Sequence, residues 1–275
     1  MKVHKSLDLV HPCYNPHLYW ARDLVHYYRQ LVKMLPKELP ITIYVVNDGS
    51  SKGINEQDIQ FLTAEIPHFH FIDLPKNLGK GGALREAIRQ TTSEIIIYTD
   101  ADYPYKLENA WEMYRKLDEE NVDIVVGVRD EHYYDQLPLA RKIFSLSLKV
   151  MNYLFFPRLK VKDTQSGLKG FNQKGKVIFL KTQISAFLFD MEFLVMASNQ
   201  KDVCLDWIYV QVRDGSNKVY TFNPSTGKDN LEFIIGTDVE LVTDKGITKE
   251  KLGSYMFVGA IIILSYIAYK LIKEK

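Results

Sequence analysis

Apolar and polar positions follow two alternating periods along the first half of this chain. Ser6–Val10 (Ser-Leu-Asp-Leu-Val) reads as a short strand that ends at Pro12. Over residues 18–35, Leu18, Leu24, Leu31 and Leu35 recur at helical spacing, and Pro36 stops the helix. Ile41–Val46 is a β-branched run closed by the turn residues Asn47-Asp48-Gly49-Ser50. A helix over 55–65 and a strand over Phe69–Leu74 follow. Gly79–Gly82 opens a helix that runs to about Gln90, and Glu94–Tyr98 is an apolar strand ending at Thr99-Asp100. A helix over 106–120 then leads to the strand Asp123–Val128.

Strands and helices alternating at this spacing predict an α/β fold with a mostly parallel sheet covered on both faces. Ligands in such sheets sit beyond the carboxyl ends of the strands. Asp48, Asp100 and Gly127-Val128-Arg129 all fall at strand ends, so three polar groups are expected to converge on one crevice.

Beyond residue 129 the pattern is less regular. Residues 141–156 (RKIFSLSLKVMNYLFF) form an apolar helix ended by Pro157, either in the core or lying in a membrane interface. From Leu252 to Ile272 the only charge is Lys270, and apolar residues surround the whole helix rather than forming one stripe. About 20 helical residues span a bilayer core, and lysines flank both ends of this stretch, where they can snorkel. The expected organisation is therefore a catalytic domain over 1–222, a juxtamembrane segment over 223–251 and a transmembrane helix over 252–272. The alternative for the last is a buried helix of the core.

Composition narrows the function classes. The 275 residues are 46% hydrophobic and 25% charged, which suits a folded protein with a sizeable core. A formal net charge of +1 gives no global signal for nucleic-acid binding, so anions must be handled by local clusters. Cys13 and Cys204 lie far apart with no metal-ligand spacing, which fits a reducing, cytosolic setting. The start, Met1-Lys2-Val3-His4-Lys5, leads directly into a strand without a signal-peptide pattern.

Three groups of residues carry candidate chemistry. Asp100 and Asp102, one residue apart after Ile95-Ile96-Ile97-Tyr98, disfavour each other's ionisation unless a cation neutralises them. Mg²⁺ characteristically takes one or two protein carboxylates together with substrate phosphate oxygens. Asn77-Leu78-Gly79-Lys80-Gly81-Gly82 precedes a helix, where backbone N–H groups and the Lys80 ammonium suit a diphosphate. It has neither P-loop nor G-x-G-x-x-G spacing. Arg129 and Arg141 offer guanidinium forks that match phosphate geometry. The seven histidines show no metal spacing, and no nucleophilic-serine elbow is present.

These segments also occur in a familiar order. Pro12-Cys13-Tyr14-Asn15, Val45-Val46-Asn47-Asp48-Gly49-Ser50, Asn77–Ala83, Asp100-Ala101-Asp102 and Gly127-Val128-Arg129 resemble those of family 2 glycosyltransferases. Asp163-Thr164-Gln165-Ser166-Gly167-Leu168-Lys169-Gly170-Phe171 and Phe189-Asp190-Met191-Glu192 are similar, more narrowly, to the polyprenyl- (dolichyl-) phosphate glucose and mannose synthases. The resemblance covers roughly residues 6–220.

It implies a GT-A fold and transfer from UDP-glucose or GDP-mannose to a polyprenyl phosphate, with Mg²⁺ or Mn²⁺ as cofactor. It implies a donor site of Pro12, Tyr14, Asn15, Asp48, Gly79, Lys80 and Ala101, with Asp100 and Asp102 holding ribose and metal. Arg129 and Arg141 would hold the acceptor phosphate, with Asp163, Gln165 and Ser166 on the acceptor side. Arg213 and Lys218 resemble a mobile segment that closes over the donor diphosphate. A membrane location with the catalytic domain in the cytosol and a possible homo-oligomer go with this reading.

The chain departs from the pattern in places. Pro16 stands where a glutamate is usual, removing a nucleotide contact. Pro104 replaces a glutamine common in mannose synthases, which puts glucose ahead of mannose. Gly215-Ser216-Asn217-Lys218 replaces Gly-Ser-Lys, which shifts Lys218. Two other functions compete. A family 2 transferase acting on a sugar hydroxyl needs a carboxylate base, for which Asp163, Asp190 or Glu192 are available, but the Gln-x-x-Arg-Trp motif of processive synthases is absent. A non-catalytic GT-A scaffold binding a partner at the membrane is the other.

Overall fold

The computed structural model describes residues 4–129, 158–161, 163–185 and 188–213. The expectations for Arg141, the 141–156 helix, Lys218, the juxtamembrane segment 223–251 and the span 252–272 lie outside the described residues. No helix among the described residues is long and apolar enough to cross a membrane.

The expected alternation is present. Strands β1 (Leu7–Cys13), β2 (Ile41–Asn47), β3 (Phe69–Asp73), β4 (Ile95–Tyr98) and β5 (Ile124–Arg129) are separated by helices α1 (Trp20–Met34), α2 (Glu56–Glu65), α3 (Lys80–Gln90) and α4 (Leu107–Glu119). Helix α1 ends where Pro36 requires it, with Leu35 already extended at φ −81°, ψ 159°. Helix α2 is opened by Asn55, whose side chain accepts from the Asp58 amide at 2.8 Å.

Two further strands and two helices complete the described chain: β6 (Lys169–Asn172), α5 (Gln173–Phe179), α6 (Phe189–Ser198) and β7 (Leu205–Val210). The seven strands form one sheet in the order β3-β2-β1-β4-β6-β5-β7. All are parallel except β6, which runs antiparallel between β4 and β5. The sheet is therefore mixed and mostly parallel, in a GT-A-like α/β arrangement.

Strand β1 runs through Pro12 to Cys13, three residues past the apolar run. Its pairing with β4 covers only Leu7–Val10, whereas its pairing with β2 continues to Cys13. Val10 accepts from Thr99 on the β4 side and Cys13 accepts from Asp48 on the β2 side. By alternation Pro12 faces the β4 side, where the partner strand has ended, so its missing N–H removes no ladder bond.

Each face of the sheet is covered by helices. Helices α1, α2 and α4 pack on one face around Leu9, Ile43, Ile97 and Val125, and α3, α5 and α6 on the other around Val10, Val46, Ile96 and Phe171. Burying each such side chain stabilises the fold by about 1.5–3 kcal/mol. The order of connection reverses between β1 and β4. The carboxyl ends of those two strands, Pro12-Cys13 and Thr99-Asp100, thus flank the crevice that such a reversal creates.

Candidate active site

The turn Asp100–Tyr103 caps β4, closed by the Tyr103 amide donating to the Asp100 carbonyl at 3.0 Å. Asp100, Ala101 and Asp102 are all half-buried at the crevice. The Lys80 ammonium lies 2.5 Å from Asp100 Oδ1, so the glycine-lysine segment and D-A-D meet directly. Gly167 of D-T-Q-S-G sits on the same carboxylate: a Cβ there would lie 3.1 Å from Asp100 Oδ2 and 3.5 Å from Lys80 Nζ. Three segments far apart in the chain therefore converge on Asp100.

Asp48 lies beside them. Its carboxylate accepts from the Leu78 amide at 2.6 Å and its carbonyl accepts from Asn77 Nδ2 at 3.2 Å. Burial raises its pKa, and the backbone N–H groups of Leu78 and Gly79 partly offset that rise. Gly49 (φ 65°) allows the two loops to cross, since a Cβ would lie 2.4 Å from the Lys76 carbonyl carbon. Tyr14 stands 54% exposed next to Pro12. Asn15 acts within the fold: its Oδ1 accepts from the Ser51 and Lys52 amides at 2.9 and 3.2 Å, bracing the loop after β1 against the loop after β2.

The glycines that open α3 have a packing role as well. The Gly81 amide donates to the Ser185 carbonyl at 2.8 Å. Arg85 donates to Ile184 O and Ser185 Oγ, both at 2.7 Å, which fastens the start of α3 to residues 182–185. A Cβ at Gly81 would lie 2.6 Å from Phe189 Cβ.

Arg129 and Asp163 are brought together. Nε and Nη2 of Arg129 donate to the two carboxylate oxygens at 2.9 and 2.7 Å, and the Arg129 amide adds a third bond at 2.9 Å. Burial alone would raise the Asp163 pKa, but the Arg129 hydrogen bonds and charge outweigh it and the net shift is downward. Gln165 and Ser166 follow on the same segment, Ser166 being wholly buried.

Several residues of this region escaped the sequence reading. Lys169, fully buried on β6, lies 2.9 Å from Asp190 Oδ1 and donates to the Ser166 carbonyl at 2.5 Å. Tyr98 donates its hydroxyl to Asp190 in a short hydrogen bond. Burial lowers the Lys169 pKa against the opposing pull of Asp190. His11, buried on β1, touches the carbonyl before D-A-D and the hydroxyl after it. Burial lowers its pKa to about 4, so the ring is neutral near pH 7. Arg213 was expected over the donor diphosphate, and its guanidinium is held against the turn, donating to the carbonyls of Tyr103 and Asp102 at 3.2 and 3.3 Å. Neither Lys169 nor His11 carries a local signal in the sequence: Lys169 opens the four-residue β6, and His11 follows the strand-like run Ser6–Val10.

The donor set suits a hard cation. Asp100 and Asp102 supply carboxylate oxygens at a half-exposed turn, and the described residues contain no cluster of three or more His, Cys, Asp or Glu side chains placed for a metal. Two carboxylates completed by phosphate oxygens is the arrangement in which Mg²⁺ is commonly bound with a nucleotide.

Comparison with known proteins decides the family. The model of glycosyl transferase family 2 matches residues 8–178, more than half of the chain. The chain belongs to glycosyl transferase family 2. Among curated members of this kind, it is similar to a dolichyl-phosphate beta-glucosyltransferase of Trichomonas vaginalis, 28% identical over 199 residues, covering 70% of this chain and 61% of that protein. The dolichyl-phosphate beta-glucosyltransferase of Dictyostelium discoideum is 24% identical over 225 residues, 76% of this chain and 68% of that one. The Saccharomyces cerevisiae enzyme of the same name is 24% identical over 197 residues, 63% of this chain and 58% of that one. The family 2 chain thus spans about three-fifths of the length of the Trichomonas and yeast proteins.

Among solved structures, a mannosyltransferase from Pyrobaculum calidifontis in complex with GDP-mannose and Mn²⁺ is similar at TM-score 0.54. It is 13% identical, with 98% of this chain and 81% of that one covered. Mannosyl-3-phosphoglycerate synthase from Rubrobacter xylanophilus is similar at TM-score 0.52, 14% identical, over 84% of this chain and 72% of that one. These likenesses concern the fold of the glycosyltransferase.

Proposed function

We propose that this glycosyltransferase moves a hexose, glucose ahead of mannose, from UDP-glucose or GDP-mannose to a polyprenyl phosphate at a membrane, inverting the anomeric carbon. The observation that carries the reading is the seating of D-T-Q-S-G on D-A-D, with Gly167 against the Asp100–Lys80 pair. The similarity to dolichyl-phosphate glucosyltransferases supports the same acceptor and sugar.

Asp100 and Asp102 would hold Mg²⁺ or Mn²⁺, which when bound neutralises the diphosphate of the donor and the charge that grows on it. Asp48, Pro12, Tyr14 and Ala101 line the nucleotide side. Asn15 and Gly79 shape the loops around it, and Lys80 adds a positive charge beside the diphosphate. Arg213 steadies the turn, and Lys218 is assigned to the donor as well. Arg129, braced on Asp163, and Arg141 are assigned the acceptor phosphate, and Gln165 and Ser166 are assigned to the acceptor side.

A phosphate oxygen of the acceptor attacks the anomeric carbon. The bond from that carbon to the donor diphosphate breaks, and the nucleoside diphosphate departs with the electron pair. A phosphate monoester is largely ionised near pH 7, its second pKa being about 6, so the step needs no strong base. The state of the carboxylates favours this acceptor over a sugar hydroxyl. Asp163 is engaged by Arg129, Asp190 by Lys169 and Tyr98, and Glu192 by the Gln183 and Ile184 amides at about 3 Å. Each of the three candidate bases is therefore committed within the fold.

The test supplies purified full-length protein with radiolabelled UDP-glucose or GDP-mannose and either a polyprenyl phosphate or an oligosaccharide. Label from UDP-glucose should enter the organic phase with the polyprenyl phosphate. Label appearing only in the oligosaccharide would overturn the acceptor assignment.

A further inference from the structure

We propose that His11 and Tyr103 are positioning residues that fix the D-A-D turn from behind and preset its two carboxylates for a cation–diphosphate ligand. This inference rests on D-A-D being that site.

His11 is 0% exposed and bridges the two residues that flank Asp100-Ala101-Asp102. Its Nδ1 lies 3.0 Å from the Thr99 carbonyl, immediately before the motif, and its Nε2 lies 3.0 Å from the Tyr103 hydroxyl, immediately after. A carbonyl can only accept, so Nδ1 carries the hydrogen. Nε2 of the neutral ring then accepts from the Tyr103 O–H. One imidazole on β1 therefore ties both ends of the turn to the centre of the sheet.

The backbone of Tyr103 is an independent sign that the turn is held. Its φ of 43° is left-handed, an uncommon and costly conformation for a bulky aromatic. The ring is kept there between His11, at 4.9 Å between centroids, and Tyr27 of α1, at 5.7 Å. Arg213 completes the buttress from outside, with its guanidinium 4.1 Å above the Tyr27 ring while it donates to Asp102 O and Tyr103 O. The carbonyls of Thr99, Asp100, Asp102 and Tyr103 each accept from this group or from the turn itself. A turn ordered before the ligand arrives loses less conformational entropy on binding. Loosening it should therefore weaken ligand affinity more than the rate of the bound complex.

The experiment compares Tyr103→Phe and His11→Asn with the wild-type full-length chain. Tyr103→Phe keeps the ring and removes the hydroxyl, and His11→Asn retains a donor placed for Thr99 while losing the acceptor for Tyr103. Hydrogen exchange of metal-free protein should show the Asp100–Tyr103 amides of Tyr103→Phe exchanging about tenfold faster. Calorimetric titration with Mn²⁺ and UDP should show binding weakened about five-fold, with kcat at saturating donor within about twofold of wild type. His11→Asn loses the same bond and also the ring contact with Tyr103, so it should be shifted at least as far as Tyr103→Phe in both readouts. Wild-type exchange and Mn²⁺–UDP affinity in both variants, with only the melting temperature lowered, would overturn the proposal and leave a packing role. If wild-type protein itself binds no Mn²⁺–UDP, the D-A-D reading fails, while the exchange data still decide whether His11 and Tyr103 hold the turn.

Discussion

The Lys80 ammonium sits 2.5 Å from Asp100 Oδ1, joining the start of α3 to the end of β4 across the crevice. This pair is about one-third exposed, so its removal should change folding stability by under about 1 kcal/mol. Its effect on the reaction should be larger, because the proposed function assigns the same cation to the donor diphosphate. Lys80→Met should lower kcat/KM by on the order of a hundredfold with a nearly unchanged melting temperature. Steady-state kinetics and a thermal melt on the same preparation check both halves.

Asp163 and Arg129 form a buried bidentate pair, and removing one partner strands the other charge. Asp163→Asn should destabilise the protein by about 3–5 kcal/mol in denaturant unfolding near neutral pH. The pH dependence has a definite sign. The folded pKa of Asp163 is lowered, so its contribution is present above the ordinary carboxylate pKa of about 4 and is lost as pH falls through the folded value. The stability difference between wild type and Asp163→Asn should therefore shrink as unfolding is measured at progressively more acid pH below about 4. A constant difference across that range would contradict the assignment.

Gly81 lies tightly against the start of α6 and the loop before it: a Cβ would lie 2.6 Å from Phe189 Cβ and 2.7 Å from the Ile184 carbonyl. Gly81→Ala should cost about 1–3 kcal/mol through overpacking, outweighing any gain in helix propensity. Denaturant unfolding measures it, and a stabilised variant would show that Ile184 and Phe189 yield readily.

Much of the fold was legible in the sequence where one element has one pattern. Ile95–Tyr98 is a wholly apolar run and became the fully buried β4, and Pro36 stopped α1 as its chemistry demands. Strand β6 was not legible because Lys169 and Gly170 interrupt it. Lys169 is tolerated inside the sheet because Asp190, from α6, and the Ser166 carbonyl meet its ammonium there. Strand β7 exposes Trp207 and Tyr209 between buried Leu205, Ile208 and Val210, a mixed pattern with no clear boundary signals.

The site divides in the same way. D-A-D, the glycine-lysine segment and D-T-Q-S-G are contiguous motifs whose chemistry can be read locally. Which charges pair is a property of the folded chain. Arg129 with Asp163, Lys80 with Asp100 and His11 with Tyr103 are separated by 34, 20 and 92 residues. His11 in particular lies past the strand-like run Ser6–Val10, and only the folded sheet sets Thr99 and Tyr103 against it.

The most direct test of the account is Asp102→Ala, assayed for glucose transfer from UDP-glucose to polyprenyl phosphate with saturating Mn²⁺ or Mg²⁺. The turn is half-exposed and its backbone is held by His11, Tyr103 and Arg213, so the variant should keep its circular dichroism spectrum and melting transition. Transfer should fall by on the order of a thousandfold, the equivalent of several kcal/mol of lost charge stabilisation. Near-normal transfer by folded Asp102→Ala would contradict the role of D-A-D as the holder of a metal–nucleotide-sugar complex.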